Sequence, residues 1–249
     1  MKRLLLLGIS VSLSGCLSSN LGINLGGDNV RMTKEHAQLI EKAGVISFIE
    51  AQPRVHFVSS SLKESNLESL VIGDWDATTA ITNLMEGRLR QKGFKVVDVD
   101  SGIPFADAYS SSASYAEPDR LHDRLLAAGR RAGVDMLVVV YRQLVRDFIT
   151  KSSQKVISYG LYKRHTEGGP YAYSAVQVEA LNVNKGYVLG KADGTVKMEL
   201  DDSAWQQNFE TDKGPLRLSP VRADSVREKV IETLLNATMI AAQEAGISN

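Results

Sequence analysis

The stretch that most constrains the fold is residues 134–140, Val-Asp-Met-Leu-Val-Val-Val. A sheet with one wet face alternates apolar and polar residues, whereas a continuous aliphatic run marks a strand buried on both faces. The run has strand length, and it is far too short for a membrane span. It is therefore expected to be a central strand. Just before it, Leu121, Leu125, Ala128 and Ala132 fall at helical spacing, and Gly133 supplies a stop. A helix over residues 119–131, with Asp119 as its cap, should lead into that strand.

The rest of the chain can be arranged around it. Thr33 caps a short helix expected over residues 33–43, with Gly44 as its terminator. Strands are expected over residues 45–49 and 54–60, on either side of Gln52-Pro53. In the second, Val55, Phe57 and Ser59 alternate with Arg54, His56 and Val58. Residues 60–70 are polar and read as a loop, with a short strand at 71–72. Asp74 or Asp76 caps a helix over residues 77–92, in which Ile81, Leu84, Met85 and Leu89 share a face. A strand at 94–99 follows. Residues 101–118 hold Gly, two prolines, a serine cluster and two tyrosines, and read as an irregular loop of the long kind that is usually functional or disordered. Tyr109 and Tyr115 are its candidate partner-contact residues. The competing reading packs both against their own domain.

Beyond the central strand, residues 142–149 are expected to extend it with a more exposed pattern. Further strands are expected at 154–162, 173–183 and 187–198, the last two joined by the hairpin signal Asn184-Lys185-Gly186. Lys151, Lys155, Lys163, Arg164 and His165 make one region locally basic, either as a solvated edge or as a docking surface for an anionic partner. Residues 201–219 are polar. A long final helix starts near Pro220, with Ser225 and Glu228 as a capping box and Val226, Val230, Leu234, Ala237 and Ala241 as its buried stripe. The fold class is α/β of the α+β kind: a single domain whose mixed, mostly antiparallel sheet is packed by helices and closed by a long C-terminal helix.

Charge and residue chemistry exclude several function classes. The 29 basic and 29 acidic residues balance, so there is no basic excess of the nucleic-acid-binding kind. The single cysteine, Cys16, leaves no disulfide within the chain. None of His36, His56, His122 and His165 has metal-ligand spacing with another. Phosphate-loop, zinc-protease and nucleophile-elbow motifs are missing from the sequence. The best carboxylate pairs are Asp98 with Asp100 and Asp74 with Asp76, each two residues apart. A strand end running into a turn explains the first pair better than catalysis does. No catalytic residue, metal site or cofactor is expected.

The N-terminus carries the clearest functional signal. Lys2 and Arg3 precede an uncharged apolar run at residues 4–13, and Leu13-Ser14-Gly15-Cys16 follows. A charged start, a short apolar core and small residues before a cut are the parts of a secretory signal peptide. The tetrapeptide resembles the lipobox of bacterial lipoprotein precursors. That resemblance implies cleavage between Gly15 and Cys16 and a diacylglycerol on the Cys16 sulfur, usually with an acylated amine. Two or more chains give stable anchoring, where one is marginal. Residues 1–15 are then the signal peptide, 16–29 the lipidated cysteine and a Gly/Ser/Asn-rich tether, and 30–249 the periplasmic domain. The tether reaches at most about 45 Å. In the enterobacterial members of that family an Asp after the cysteine retains the protein in the inner membrane. Leu17 stands there instead, which implies the outer membrane, with the inner membrane as the alternative.

One further resemblance rests on the order of elements. A helix, Gly133-Val134-Asp135 and a valine-rich strand come first. A meander through Asn184-Lys185-Gly186-Tyr187-Val188-Leu189-Gly190 and an amphipathic last helix follow. This order is similar to the periplasmic domain of the curli-export lipoprotein, to the lipoprotein activators of penicillin-binding proteins and to the N-terminal domain of the Tol-system propeller protein. It implies a non-enzymatic envelope lipoprotein that binds a protein partner as an assembly, export or activation factor. A cell-wall or polysaccharide-acting enzyme and a subunit of an oligomeric export apparatus are the alternatives. The charged segment 151–170 lacks the alternating apolar band of a membrane-crossing hairpin, which argues against a pore.

Overall fold

The computed structural model describes residues 29–58, 65–71, 76–113, 118–164, 169–201, 209–210, 216–218 and 223–248. The aliphatic run forms strand β5 (Met136–Arg142), and it is central. It pairs in parallel with β1 (Lys42–Phe48) and antiparallel with β9 (Tyr171–Asn182). Met136, Val138 and Val140 face one apolar cluster, and Leu137 and Val139 face another. Each of these side chains is fully buried, which stabilises by about 1.5–3 kcal/mol per residue. Residues 136–140 are all apolar because helices cover both faces.

Helices α2 (Ala77–Gln91) and α5 (Ala223–Glu244) cover the first face. Ala77, Ile81, Met85 and Leu89 of α2 and Val226, Val230, Leu234, Ala237 and Ala241 of α5 are the buried stripes. α5 lies so close to the sheet that a Cβ on Gly194 would run into the Ala237 carbonyl. Helices α3 (Phe105–Ala113) and α4 (Pro118–Ala132) cover the second face. The short α1 (Lys34–Gln38) is capped by Thr33, whose hydroxyl accepts from His36 N–H at 3.2 Å.

The sheet is forked. One edge of β9 pairs along its length with β10 (Val188–Glu199). Its other edge is shared end to end. β8 (Tyr159–Arg164) takes Tyr171–Ser174, and β5 takes the part from Val176 to Asn182. One limb continues from β5 through β1 to β4 (Lys95–Val96), all parallel. The other runs from β8 through β2 (Arg54–Val58), β3 (Ser65–Val71) and β12 (Leu216–Leu218) to β11 (Phe209–Glu210). A hairpin of β6 (Leu144–Arg146) and β7 (Lys155–Ile157) rises between the limbs. It buries Val145, Ile149 and Val156 against Tyr162, Tyr173 and Ala175. The result is a single α+β domain with a mixed sheet. Among the described residues no helix is long and apolar enough to cross a membrane.

Several boundaries differ from expectation for identifiable reasons. Gly44 does not end α1. It lies inside β1, where a Cβ would collide with Val99. The polar stretch before residue 71 is strand β3, held by its register with β2 rather than by apolar alternation. The strand expected at 94–99 shrinks to Lys95–Val96. Residues 142–149 do not extend β5, because the chain leaves the sheet at Gln143 to make the hairpin. Ser225 lies inside α5, two residues past its first residue Ala223. The expected loop at 101–118 contains α3, with Phe105, Ala108 and Tyr109 on one face and Pro104 accepting from the Asp107 N–H at 3.0 Å.

Candidate functional site

The two limbs of the sheet part at Ala175. Its carbonyl accepts from Gln143 N–H at 3.0 Å, and its N–H donates to the Ser158 carbonyl at 2.6 Å. Ser158 N–H donates to the Gln143 carbonyl at 3.1 Å, which closes a three-strand junction. Ser158 reaches this geometry with φ of 61°, a left-handed conformation that costs a non-glycine residue about 1–2 kcal/mol. Next to it, Gly160 has φ of 151° and lies against the Arg54 backbone, where any side chain would clash.

Glu50, just past the end of β1, reaches into this junction. Its Oε1 accepts from Arg142 Nη1 at 2.5 Å and from Arg54 Nε at 3.3 Å. Its Oε2 accepts from the Ser158 hydroxyl, and its carbonyl accepts from Tyr159 OH at 2.9 Å. Both carboxylate oxygens are thus engaged by donors of three other segments. A carboxylate held in this way ties the limbs together and is poorly placed to take a proton from a substrate.

Arg142 links the junction to α3. Its guanidinium carbon sits 3.7 Å from the centroid of the Tyr109 ring and 5.6 Å from that of Phe105. Its N–H donates to the Tyr109 hydroxyl at 3.0 Å, and that hydroxyl donates to the Phe48 carbonyl. Burial raises the Tyr109 phenol well above its ordinary value, so it stays neutral. Tyr109 thus spends its hydroxyl and one ring face inside the domain. Phe105 beside it is partly exposed, and Leu144 at the base of the hairpin is 53% exposed. Both are at the fork end of the domain.

A second polar knot stiffens the hairpin. Asp147 accepts from the N–H groups of Ile149 and Thr150, from the hydroxyls of Thr150 and Ser152, and from Tyr162 OH at 2.9 Å. Burial alone would raise its carboxyl, but these hydrogen bonds outweigh it and hold the group at about 2. Burial and that carboxylate push Tyr162 up to about 12. His56 is buried against Tyr162, with ring centroids 5.3 Å apart. Burial lowers its pKa, partly offset by Gln154 and by the charge of Asp147.

Of the carboxylates singled out from the sequence, the three that lie among the described residues serve separate local roles. Asp76 caps α2, accepting from Thr78 N–H and Thr79 N–H. Asp98 is exposed, and Asp100 accepts from Gly102 N–H at 2.9 Å in a turn. Among the described residues no group of three or more His, Cys, Asp or Glu is placed to hold a metal ion. Gly15, Cys16, Asp74, Tyr115 and His165 lie outside the described residues. Sequence reasoning missed Glu50, Arg142 and Ser158. The one signal available was the arginine that ends an otherwise aliphatic strand.

No family model and no curated protein sequence matches the chain. Among solved structures it is similar to the hypothetical protein CT253 from Chlamydia trachomatis, at 6% identity and a TM-score of 0.38, covering 84% of this chain and 98% of that one. It is similar to the LpoB C-terminal domain from Salmonella enterica, at 12% identity and a TM-score of 0.30, covering 69% and 88%. It is also similar to the lipoprotein GNA1162 from Neisseria meningitidis, at 10% identity and a TM-score of 0.32, covering 79% and 99%. Likeness at this level concerns the general course of the chain and carries nothing about activity or partner.

Proposed function

We propose that this protein is a non-enzymatic, lipid-anchored lipoprotein of the bacterial envelope, held in the outer membrane through Cys16, whose periplasmic domain docks a protein partner. The single observation that carries the anchor is Leu13-Ser14-Gly15-Cys16 behind a charged start and a short apolar run. Docking is assigned to the fork end, where Phe105 and Leu144 are exposed large hydrophobics. Chain entry at Asn29 and Val30 is at the other end, since Val30 bridges Lys191 near the start of β10. A domain tethered by one end exposes the other to soluble or integral partners. Tyr109 positions Phe105 and Arg142 there, and Tyr115 is the second candidate contact.

The test is site-specific photocrosslinking in cells, with the crosslinker at Phe105 or Leu144 and, separately, at the exposed helical position Arg130. One discrete envelope-protein adduct is expected from the first two positions and none from the third. No adduct from either fork position, with the protein present at normal abundance, overturns the docking assignment.

A further inference from the structure

The end of the domain where the chain enters differs from the rest in charge. The strand starts of β1, β4, β5 and β10 lie here, with the last turns of α2, α4 and α5. Hydrogen bonds across this end establish the grouping. Asp135 N–H donates to the Lys42 carbonyl, Val183 N–H to the Asp135 carbonyl, Lys95 N–H to the Glu41 carbonyl and Met32 N–H to the Ala245 carbonyl, each at 2.9 Å. Lys92 Nζ donates to the Gly246 carbonyl at 2.9 Å.

In a chain with balanced charge, this end exposes Arg31, Lys34, Lys95, Arg130, Arg131 and Lys185. Its exposed acids are Glu35, Glu41, Glu244 and Asp100, the last beside the Ser101 carbonyl that accepts from Arg131 at 3.4 Å, and the partly buried Asp135 carboxylate accepts from the N–H groups of Glu41 and Lys42. Arginines at the end of α4 complement the helix dipole, which accounts for Arg130 and Arg131. Arg31 precedes α1, Lys34 opens it, Lys95 is on a strand and Lys185 in a turn, so the dipole does not explain them. Arg31 is near enough to Lys92 to lower the amine pKa, beyond the effect of burial.

Large apolar residues are exposed among these cations. Leu39 is 69% exposed. Val30 and Tyr187 are also exposed, and Tyr187 leans on His36 with ring centroids 5.9 Å apart. Of the exposed large hydrophobics among the described residues, these three are at the entry end, while Phe105 and Leu144 are at the fork. Cations interspersed with a leucine and an aromatic ring match the interface of an anionic bilayer, where phosphates meet the cations and the apolar groups enter the headgroup boundary.

We infer that the entry end, with Arg31, Lys34, Lys95 and Lys185 around Leu39 and Tyr187, is a docking surface for anionic phospholipid. The occupant follows from charge complementarity and from the chain itself. Residues 17–29 connect this end to Cys16 and reach at most about 45 Å, so an acylated Cys16 keeps it near a bilayer. This placement rests on the anchor reading. Acyl chains alone would leave the domain free to tumble on its tether. The basic surface holds that end down and turns the fork, with Phe105 and Leu144, away from the membrane.

The test uses chain 16–249 carrying Cys16→Ser, so that no acyl group contributes, and vesicles of phosphatidylglycerol with phosphatidylethanolamine or of phosphatidylcholine alone. Cosedimentation with the anionic vesicles is expected, with loss in about 1 M salt, where the Debye length is about 3 Å. Each cation near such a surface is worth about fivefold in affinity. Lys34→Glu, Lys95→Glu and Lys185→Glu together should weaken binding by about a hundredfold or more. The same reversals at Arg146, Lys151 and Lys155, at the fork end, should leave it nearly unchanged. Circular dichroism establishes that each variant is folded. No binding to anionic vesicles, or equal weakening by both triple variants, overturns the inference. Mass spectrometry of the wild-type protein from membranes reads Cys16 acylation separately, so failure of the anchor is distinguishable from failure of the surface.

Discussion

Arg142 Nη1 and Glu50 Oε1 stand 2.5 Å apart at the parting of the two sheet limbs, with side chains 19% and 11% exposed. Glu50 also holds Arg54 and Ser158, so one carboxylate links β5, β2 and the start of β8. Removing one member of such a buried pair strands the other charge, at a cost of about 3–5 kcal/mol. Glu50→Ala should fall in that range. Arg142→Ala should cost less, about 2–3 kcal/mol, because Arg54 stays to balance the carboxylate. The double variant should be milder than the sum by about 1–3 kcal/mol. Urea unfolding of the four proteins checks this, and strict additivity would refute the latch.

Acid should destabilise the domain in two separate stages. His56 has a folded pKa below its ordinary 6.5, so its contribution is complete above pH 6.5 and is lost as pH falls through the folded value. Asp147 is at about 2 in the fold against an ordinary 3.8. Its contribution, on the order of 1–2 kcal/mol, is complete above 3.8 and is lost only as pH falls toward 2. His56→Phe should remove the upper stage and keep the lower one. Asp147→Asn should do the reverse and also weaken the hairpin at neutral pH. Unfolding midpoints from pH 8 to 2 read both effects.

Gly194 and Gly160 are the glycines at which an added Cβ would run most severely into the backbone of another element. Gly194→Val must push α5 off β10 at the Ala237 carbonyl and should cost about 3 kcal/mol or more by overpacking. Gly160→Ala combines a conformation closed to side chains with a clash on Arg54. It should destabilise by a similar amount. Gly87, with open space where its Cβ would be, is the control: Gly87→Ala in α2 should stabilise by about 0.5–1 kcal/mol. Thermal midpoints rank the three.

How far these features were legible in the sequence depends on whether a local signal carried them. β5, α2, α4 and the stripe of α5 were legible because burial on a face imposes period on residue type. So was the β9–β10 hairpin, where Gly186 takes φ of 75° and its N–H donates to the Asn182 carbonyl at 2.8 Å. The fork was not legible. Nothing local says that β5 and β8 share one edge of β9, because that register is fixed by contacts far apart in sequence, such as Glu50 with Ser158. α3 was hidden by its serines and flanking prolines, although Phe105, Ala108 and Tyr109 have helical spacing. The basic end was invisible for the same reason as the fork: Arg31, Lys95 and Lys185 belong to three separate segments that only the sheet brings together.

The proposed lipid anchor and the proposed basic surface can be separated in one fractionation. Cys16→Ala removes the sulfur that the anchor reading acylates and leaves Lys34, Lys95 and Lys185 in place. Wild-type protein should stay with membranes through a wash in about 1 M salt and leave only in detergent, because acyl burial is insensitive to screening. Cys16→Ala should sediment partly with membranes at low salt and be released fully by the salt wash. Adding Lys34→Glu, Lys95→Glu and Lys185→Glu to Cys16→Ala should make it soluble at low salt as well. Retention of Cys16→Ala through the salt wash would refute the anchor, since some other attachment would then hold the domain to the membrane.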